Sequence, residues 1–376
     1  MARLKLYDDG HRLAAWDAPA TVTLSTAPAG ATARVARVEP DASGRYQLGP
    51  WRDLGATPLP PLSLPRGSYV FELALADHAP TRYPLLVDRG EAFTATVPLV
   101  RAAAVPPGMI YVPAGRFLIG STAPEAQRRE FEKAPPLHPT EVPAALVART
   151  EVTIGDWVEY VRSLPPAEQP GRLPSSSVVG LSGEVRWQAT AGGFDITLQP
   201  ASTRYQVTTD GELVYPMRKE RQRHPVRALP VTGVRPADFA AYAAWLAATG
   251  RVPGARVCDE RTWEHAVRGA DGRRYAAGDA LAPTDANFGE EGSDFAGYGP
   301  DAVGTHPGGV SPFGIEDSAG NAWEIATSAF RGTDFVVRGG GYLLDGAAAT
   351  ATLRDPIDAT VHDLVVGSRI CASAGF

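Results

Sequence analysis

The chain has 376 residues, 44% hydrophobic and 21% charged, the balance of an ordinary globular protein long enough for two domains. A net charge of -6 without any block of Lys or Arg excludes the dense positive field that nucleic acid or a membrane surface requires, so a protein or a small molecule is the expected partner. Two cysteines set against 39 glycines and 34 prolines speak for many turns, and against a disulfide framework.

Acidic Asp8 and Asp9 come before any apolar run of signal-peptide length, and the sequence holds no continuous apolar stretch long enough to cross a membrane. A soluble, cytoplasmic protein without a membrane partner is the expectation. Residues 1–102 read as all-β. Alternation marks Thr21–Ser25, Tyr69–Leu75 and Phe93–Val97 as half-buried strands bounded by Pro and Gly. The turn chemistry of Ala27-Pro28-Ala29-Gly30, Gly55-Ala56-Thr57-Pro58 and Leu64-Pro65-Arg66-Gly67 resembles a PEGA-type β-sandwich. Residues 103–108 read as a linker.

From Met109 a second domain, 109–376, opens with apolar alternation on both sides of Pro113-Ala114-Gly115, the pattern of a hairpin. Thr153 with Asp156 at N3 forms a capping box for a helix that presents Trp157, Tyr160, Val161 and Leu164 on one face and stops at Pro165. Residues 166–224 carry Ser- and Gly-rich turns between strand-like Val185–Ala189 and Ile196–Gln199, an inserted β-hairpin region. A second helix starts near Pro236, aligns Phe239, Tyr242, Ala243 and Leu246, and ends before Gly250. A third runs from an Asp259 cap through Trp263 to Gly269.

The most concentrated chemistry lies in Gly314-Ile315-Glu316-Asp317-Ser318-Ala319-Gly320-Asn321-Ala322-Trp323-Glu324 and the Arg338-Gly339-Gly340-Gly341-Tyr342 turn that follows. Two glycines, acidic side chains and an indole in so short a stretch suit a tight loop better than a plain strand or helix. Gly-Asn-Ala-Trp-Glu followed by Arg-Gly-Gly-x-Tyr resembles the signature of the formylglycine-generating-enzyme, or sulfatase-modifying-factor, family. The opening Met109–Ser121 and the run Arg256–Glu264 resemble it too. The resemblance implies an α+β fold, an irregular, loop-rich C-type-lectin-like domain behind the small all-β sandwich.

What the resemblance implies about chemistry is taken residue by residue. Asp317 and Glu324 side chains with the Gly320 and Ala322 carbonyls match one calcium loop, and calcium takes six to eight oxygens of this kind. Asn287 and the Phe288 carbonyl match the start of a second calcium site, with Asp294 as a possible further ligand. Arg338 and Arg369 are implied to be buried, hydrogen-bonded supports. Family enzymes hold copper between two thiolates five residues apart just after the Gly-rich turn. Leu344 and Ala349 stand at those positions, so no copper is expected. Cys258 and Cys371 are expected to be separate buried core thiols.

The seven histidines never reach the His-x-x-x-His-x-Glu spacing of the fold's iron-dependent sulfoxide synthases, so no iron is expected, and no catalytic constellation is found. His265 and His306 read as surface or loop residues. Variable proteins of diversity-generating retroelements, another branch of this fold, bind ligands through the C-terminal segment. By that analogy Tyr342, Leu344, Asp345, Thr350 and Thr352 are the expected exposed, ligand-binding residues. A non-catalytic, calcium-braced binding module is the leading reading. An enzyme with an unrecognised site, and a sensor or scaffold of a bacterial kinase or protease system, stay open beside it.

Overall fold

The alternation in the first hundred residues becomes two facing sheets in the computed structural model, which describes residues 15–176, 183–289, 297–329 and 334–375. One sheet places Ala20–Ala27 between antiparallel Leu62–Leu64 and parallel Ala92–Pro98. The other centres on Thr32–Pro40 and Gly67–Ala74, with Thr81–Val87 outside. Residues two apart share a face, so Val22, Leu24, Val35, Phe71, Leu85 and Val97 meet in a core of their own. A single 3-10 turn, Ala102–Ala104, precedes the strand Met109–Val112.

The sandwich is fastened to the long loop that leads to Asn287. Arg45 Nη2 donates to Asp285 Oδ1 (2.6 Å), Tyr46 Oη to Asp279 Oδ2 (2.9 Å) and Ser68 Oγ to Asp271 Oδ2 (2.7 Å). Tyr46 N also donates to Ala277 O (2.7 Å). Asp285 and Asp271 are buried, so these charge-assisted bonds are shielded from water and fix the loop from outside.

The hairpin expected around Pro113-Ala114-Gly115 does not form. Met109–Val112 pairs with Ala145–Ala148, whereas Gly115–Ile119 pairs with His138–Val142. The Pro-Ala-Gly bend passes the chain from one sheet to another, which local alternation cannot reveal. The first of these sheets also takes Ala255–Val257 and the closing strand Ile370–Ser373.

The three helices start and stop where their caps dictate. Helix α1, Ile154–Ser163, has the Thr153/Asp156 capping box and buries Trp157, Tyr160 and Val161. Helix α2, Pro236–Ala248, begins with Pro at N1 and packs Phe239 and Tyr242 against Trp157, with ring centroids 5.5 and 5.6 Å away. Helix α3, Glu260–Arg268, is capped by Asp259 and ends at Gly269, where φ is +71°. The insertion builds a three-stranded antiparallel sheet, Glu184–Ala189, Phe194–Gln199 and Tyr205–Thr208, and a separate pair, Glu212–Val214 with Arg223–Pro225. Its Trp187, Phe194, Ile196 and Leu198 join the main core instead of forming a satellite.

Two expectations about buried side chains are corrected. Cys258 and Cys371 are buried, but they are not separate thiols: they form a disulfide across 113 residues of sequence. Pairing of Ala255–Val257 with Ile370–Ser373 places the two Cα atoms 4.9 Å apart, a tertiary fact invisible in their spacing. His265 and His306 lie in the interior, 3% and 2% exposed, not at the surface. His265 packs between Phe117 and Phe313, and burial alone lowers its pKa to about 3, so it is a neutral core residue.

Candidate functional site

The Gly314–Glu324 stretch is a loop that ends in a strand. Asp317 and Asn321 adopt φ of +52° and +59°, values that Asp and Asn tolerate better than other side chains, and Gly320 sits at +75°. A Cβ at Gly320 would lie 2.1 Å from the Asn287 carbonyl oxygen, so only glycine lets these two segments touch. Strand Trp323–Thr327 then runs between Phe335–Arg338 and Val366–Ser368, which brings Glu324, Arg338 and Arg369 into one interior.

Asn321 is the hub of this loop, and the sequence reading did not single it out. Its Oδ1 accepts from Asn287 Nδ2 (3.1 Å) and Asp301 N (2.9 Å). Its Nδ2 donates to Glu151 Oε1 (3.1 Å) and Asp301 O (3.3 Å). One amide with every donor and acceptor used thus ties four segments together. Glu151, also missed, is buried just ahead of helix α1, and its Oε2 has no partner among the described residues.

Arg338 and Arg369 are buried supports, as the resemblance implies. Arg369 grips Glu324 with both Nε (2.5 Å) and Nη2 (2.6 Å), while Trp263 Nε1 donates to the same carboxylate (2.7 Å). Arg338 reaches Glu264 Oε2 (2.5 Å) and Ala351 O (2.6 Å). The bidentate Arg369–Glu324 pair and the single charge-assisted bond from Arg338 to Glu264 compensate charges that could not otherwise be buried.

Charge around Arg369 is not balanced. Burial pushes Glu151 well above the usual carboxylate range, and the neighbouring charges of Asp317 and Glu324 add to the effect. Burial likewise raises Asp317 to about 6, although Gly304 N donates to its Oδ2 (2.5 Å). Three interior carboxyl groups facing one guanidinium cannot all ionise, and the raised pKa values mean that protonation relieves the crowding; a bound divalent cation would let them ionise instead. No group of three or more His, Cys, Asp or Glu side chains forms a metal cluster among the described residues, so backbone carbonyls would have to complete any shell. Asp317, the orphaned oxygen of Glu151 and the Gly320 and Ala322 carbonyls could do so. Glu324 has both oxygens engaged by Arg369 and could join only by sharing them.

The Asn287 position is different. Its Nδ2 donates to Gly299 O (2.9 Å) and to Asn321, and its carbonyl accepts from Asn321 N (2.6 Å). Asp294 lies outside the described residues. The carboxylate nearest this network is Asp301, which is already held by Arg218, His306 and Arg221.

The expected exposed face is corrected in three of its five members. Leu344 (38%) and Asp345 are exposed, but Tyr342 (1%), Thr350 (2%) and Thr352 (6%) are buried. The segment does not lie flat: Asp345 Oδ1 accepts from Ala347 N (3.0 Å) and Ala348 N (3.2 Å), folding it into a turn. Thr352 Oγ1 then donates inward to Glu132 Oε2 (3.2 Å), and Thr350 Oγ1 to Ala347 O (3.2 Å). At the two thiolate positions, Leu344 caps the exposed turn and Ala349 lies buried beneath Gly340.

Beside this turn opens a cleft of about 580 Å³, walled by Met217, Arg218, Phe288 and Tyr298. Tyr342 also lines it, and the Tyr342 hydroxyl is buried without a hydrogen-bond partner among the described residues. Burial holds this phenol well above its usual pKa, so it stays neutral and can donate. Met217, 62% exposed, stands at the rim.

Few helices, open sheets and long loops fit the C-type-lectin-like fold. Residues 95–374 match the sulfatase-modifying factor enzyme 1-like domain, and the chain belongs to that family. It is 30% identical over 244 residues to the formylglycine-generating enzyme of Mycobacterium tuberculosis, covering 59% of this chain and 74% of that one. It is 29% identical over 290 residues to the inactive C-alpha-formylglycine-generating enzyme 2 of Mus musculus, covering 72% and 87%. Among solved structures it is similar to Treponema denticola variable protein 1, with a TM-score of 0.47 and 15% identity over 70% of this chain and 94% of that one. The structure of PvdO from Pseudomonas aeruginosa aligns with a TM-score of 0.46 and 19% identity, with the same coverage of 70% and 94%.

Proposed function

We propose that this protein is a non-catalytic member of its family that binds a protein or small-molecule ligand beside its C-terminal turn, on a scaffold braced by calcium. One observation carries the non-catalytic reading: the chain has two cysteines, and they are bonded to each other. No thiolate pair is left to hold copper, and Leu344 and Ala349 occupy the family positions for it. The mouse relative, whose name describes it as inactive, is consistent with this reading.

The binding reading rests on the cleft. A buried phenol at its wall with no partner among the described residues is costly unless something accepts its hydrogen bond, and the exposed Met217 offers apolar contact at its rim. The ligand site therefore moves from a flat C-terminal face to this cleft and the Leu344–Asp345 turn. The loop of Asp317 and Gly320 to Glu324, with Glu151 added, is the place proposed for calcium. A buried disulfide fits an oxidising compartment better than the cytoplasm.

Purified protein incubated with Cu(I) and a cysteine-containing peptide should leave the peptide's mass unchanged; an aldehyde product overturns the non-catalytic reading. A thermal-shift screen of small molecules tests the cleft. Stabilisation by a hit should disappear in Tyr342→Phe and Met217→Glu and persist in Phe131→Ser, whose side chain is exposed elsewhere. Hits unaffected by the first two substitutions place the ligand away from the cleft.

A further inference from the structure

The surroundings of Arg218 are unusual for an arginine. Nε donates to Gly297 O (2.6 Å), Nη2 to Gly299 O (2.7 Å), and Nη1 to both the Asp301 carboxylate and Arg221 O (3.4 Å). Three backbone carbonyls and one carboxylate gathered around one cation are oxygen ligands of the types that calcium also takes. The face of the Tyr215 ring, 3.8 Å from the guanidinium carbon, closes one side.

We propose that the Arg218 guanidinium is a built-in substitute for the cation that the resemblance leads one to expect at Asn287 and Phe288. The Asn287 network and the Arg218 shell share Gly299 O and, through Asn321, Asp301, so they are parts of one site. Asp301 is buried, which pushes its pKa up, yet the His306 hydrogen bond (2.9 Å) and the charge of Arg218 hold it below the usual carboxylate value. Arg221 Nε stands 3.3 Å from its other oxygen. His224 contributes no charge: Nδ1 accepts from Ala302 N (3.0 Å), which leaves the proton on Nε2 facing Arg221 O (2.7 Å). Among the described residues, two guanidinium groups thus satisfy the one carboxylate of this network, so Asp301 offers a divalent ion neither a free oxygen nor an uncompensated charge.

Because Arg218 belongs to the insertion, between Glu212–Val214 and Arg223–Pro225, the tether also fixes the insertion to the scaffold and forms a wall of the cleft. That wall is held by protein charge and stands whether or not calcium is bound.

Calcium titration by calorimetry, with melting curves in chelator, compares the parent with Arg218→Ala. The variant should melt lower in chelator, bind one calcium ion more per chain than the parent, and recover its melting temperature as that ion binds. Equal ion counts in the two proteins, or an Arg218→Ala protein that calcium does not rescue, overturn the proposal. Asp301→Asn covers the case in which Arg218→Ala does not fold. It should leave the parent's ion count unchanged, and losing one ion means that calcium already sits at this site. The count itself separates this inference from the proposed calcium loop, since failure of the loop alone gives no ion in the parent and one in Arg218→Ala.

Discussion

Asp317→Asn removes a charge from the crowded interior and changes little else. Asn tolerates a φ of +52°, and its side-chain oxygen can still accept from Gly304 N. In the parent, burial raises the Asp317 pKa from 3.8 to about 6. A raised pKa means that the folded state holds the proton more tightly, so this contribution to stability is complete below the unfolded value and is lost as pH rises through the folded one. A shift of about two pH units corresponds to roughly 3 kcal/mol between the two ends of that window. His265, lowered to about 3 by burial, and His224, also lowered by burial, slope the opposite way, since unfolding lets them take up protons. The total pH profile therefore mixes signs, and the difference between parent and variant is the quantity to read. Urea unfolding of metal-stripped protein from about pH 4 to about pH 7.5 should show Asp317→Asn gaining roughly 2–3 kcal/mol on the parent as pH rises. Saturating calcium at neutral pH should reverse the order, because only the parent's carboxylate can hold the ion well. Equal pH slopes for the two proteins would refute the burial argument, and a parent melting temperature indifferent to calcium would refute the ion.

Gly320→Ala forces a Cβ to within 2.1 Å of a backbone carbonyl at a φ of +75°, so it should cost roughly 3 kcal/mol or more in urea unfolding; a loss under about 1 kcal/mol would mean that the loop is not packed against Asn287 as described. Leu344→Glu, on an exposed turn, should change stability by no more than about 0.5 kcal/mol, whereas Thr352→Glu buries a second carboxylate beside Glu132 and should lower the melting temperature sharply; equal melting temperatures would return Thr352 to the surface. Replacing both Cys258 and Cys371 by Ala opens a loop of 113 residues and should cost roughly 2–5 kcal/mol. The bond itself is checked by alkylating the unfolded parent before reduction, when neither thiol should react.

What could be read from the sequence is what local chemistry dictates. Period-two alternation located three strands of the first sandwich and left the others, such as Thr32–Pro40 and Thr81–Val87, unmarked, while the Thr153/Asp156 box, Pro236 and Asp259 marked three helix starts, because each signal acts within a few residues. The clustered glycines and acids around Asp317 marked the central loop, since positive φ and close backbone approach need those residue types wherever they occur. The roles of Arg338 and Arg369 came from the family motif and agree with their buried contacts.

Tertiary structure decided everything that depends on partners far apart in the chain. Cys258 meets Cys371 only because two distant strands are neighbours, and Glu151 joins Asn321 across 170 residues with no pattern to announce it. Arg218 finds Asp301 across 83 residues, so a second calcium site could be expected from Asn287 while an arginine already fills the shell. Tyr342, Thr350 and Thr352 are small or amphipathic residues that suit surface and interior equally well; the Asp345 turn, and not their composition, folds them inward. Burial is a property of what packs against a residue, and that is set by the whole chain.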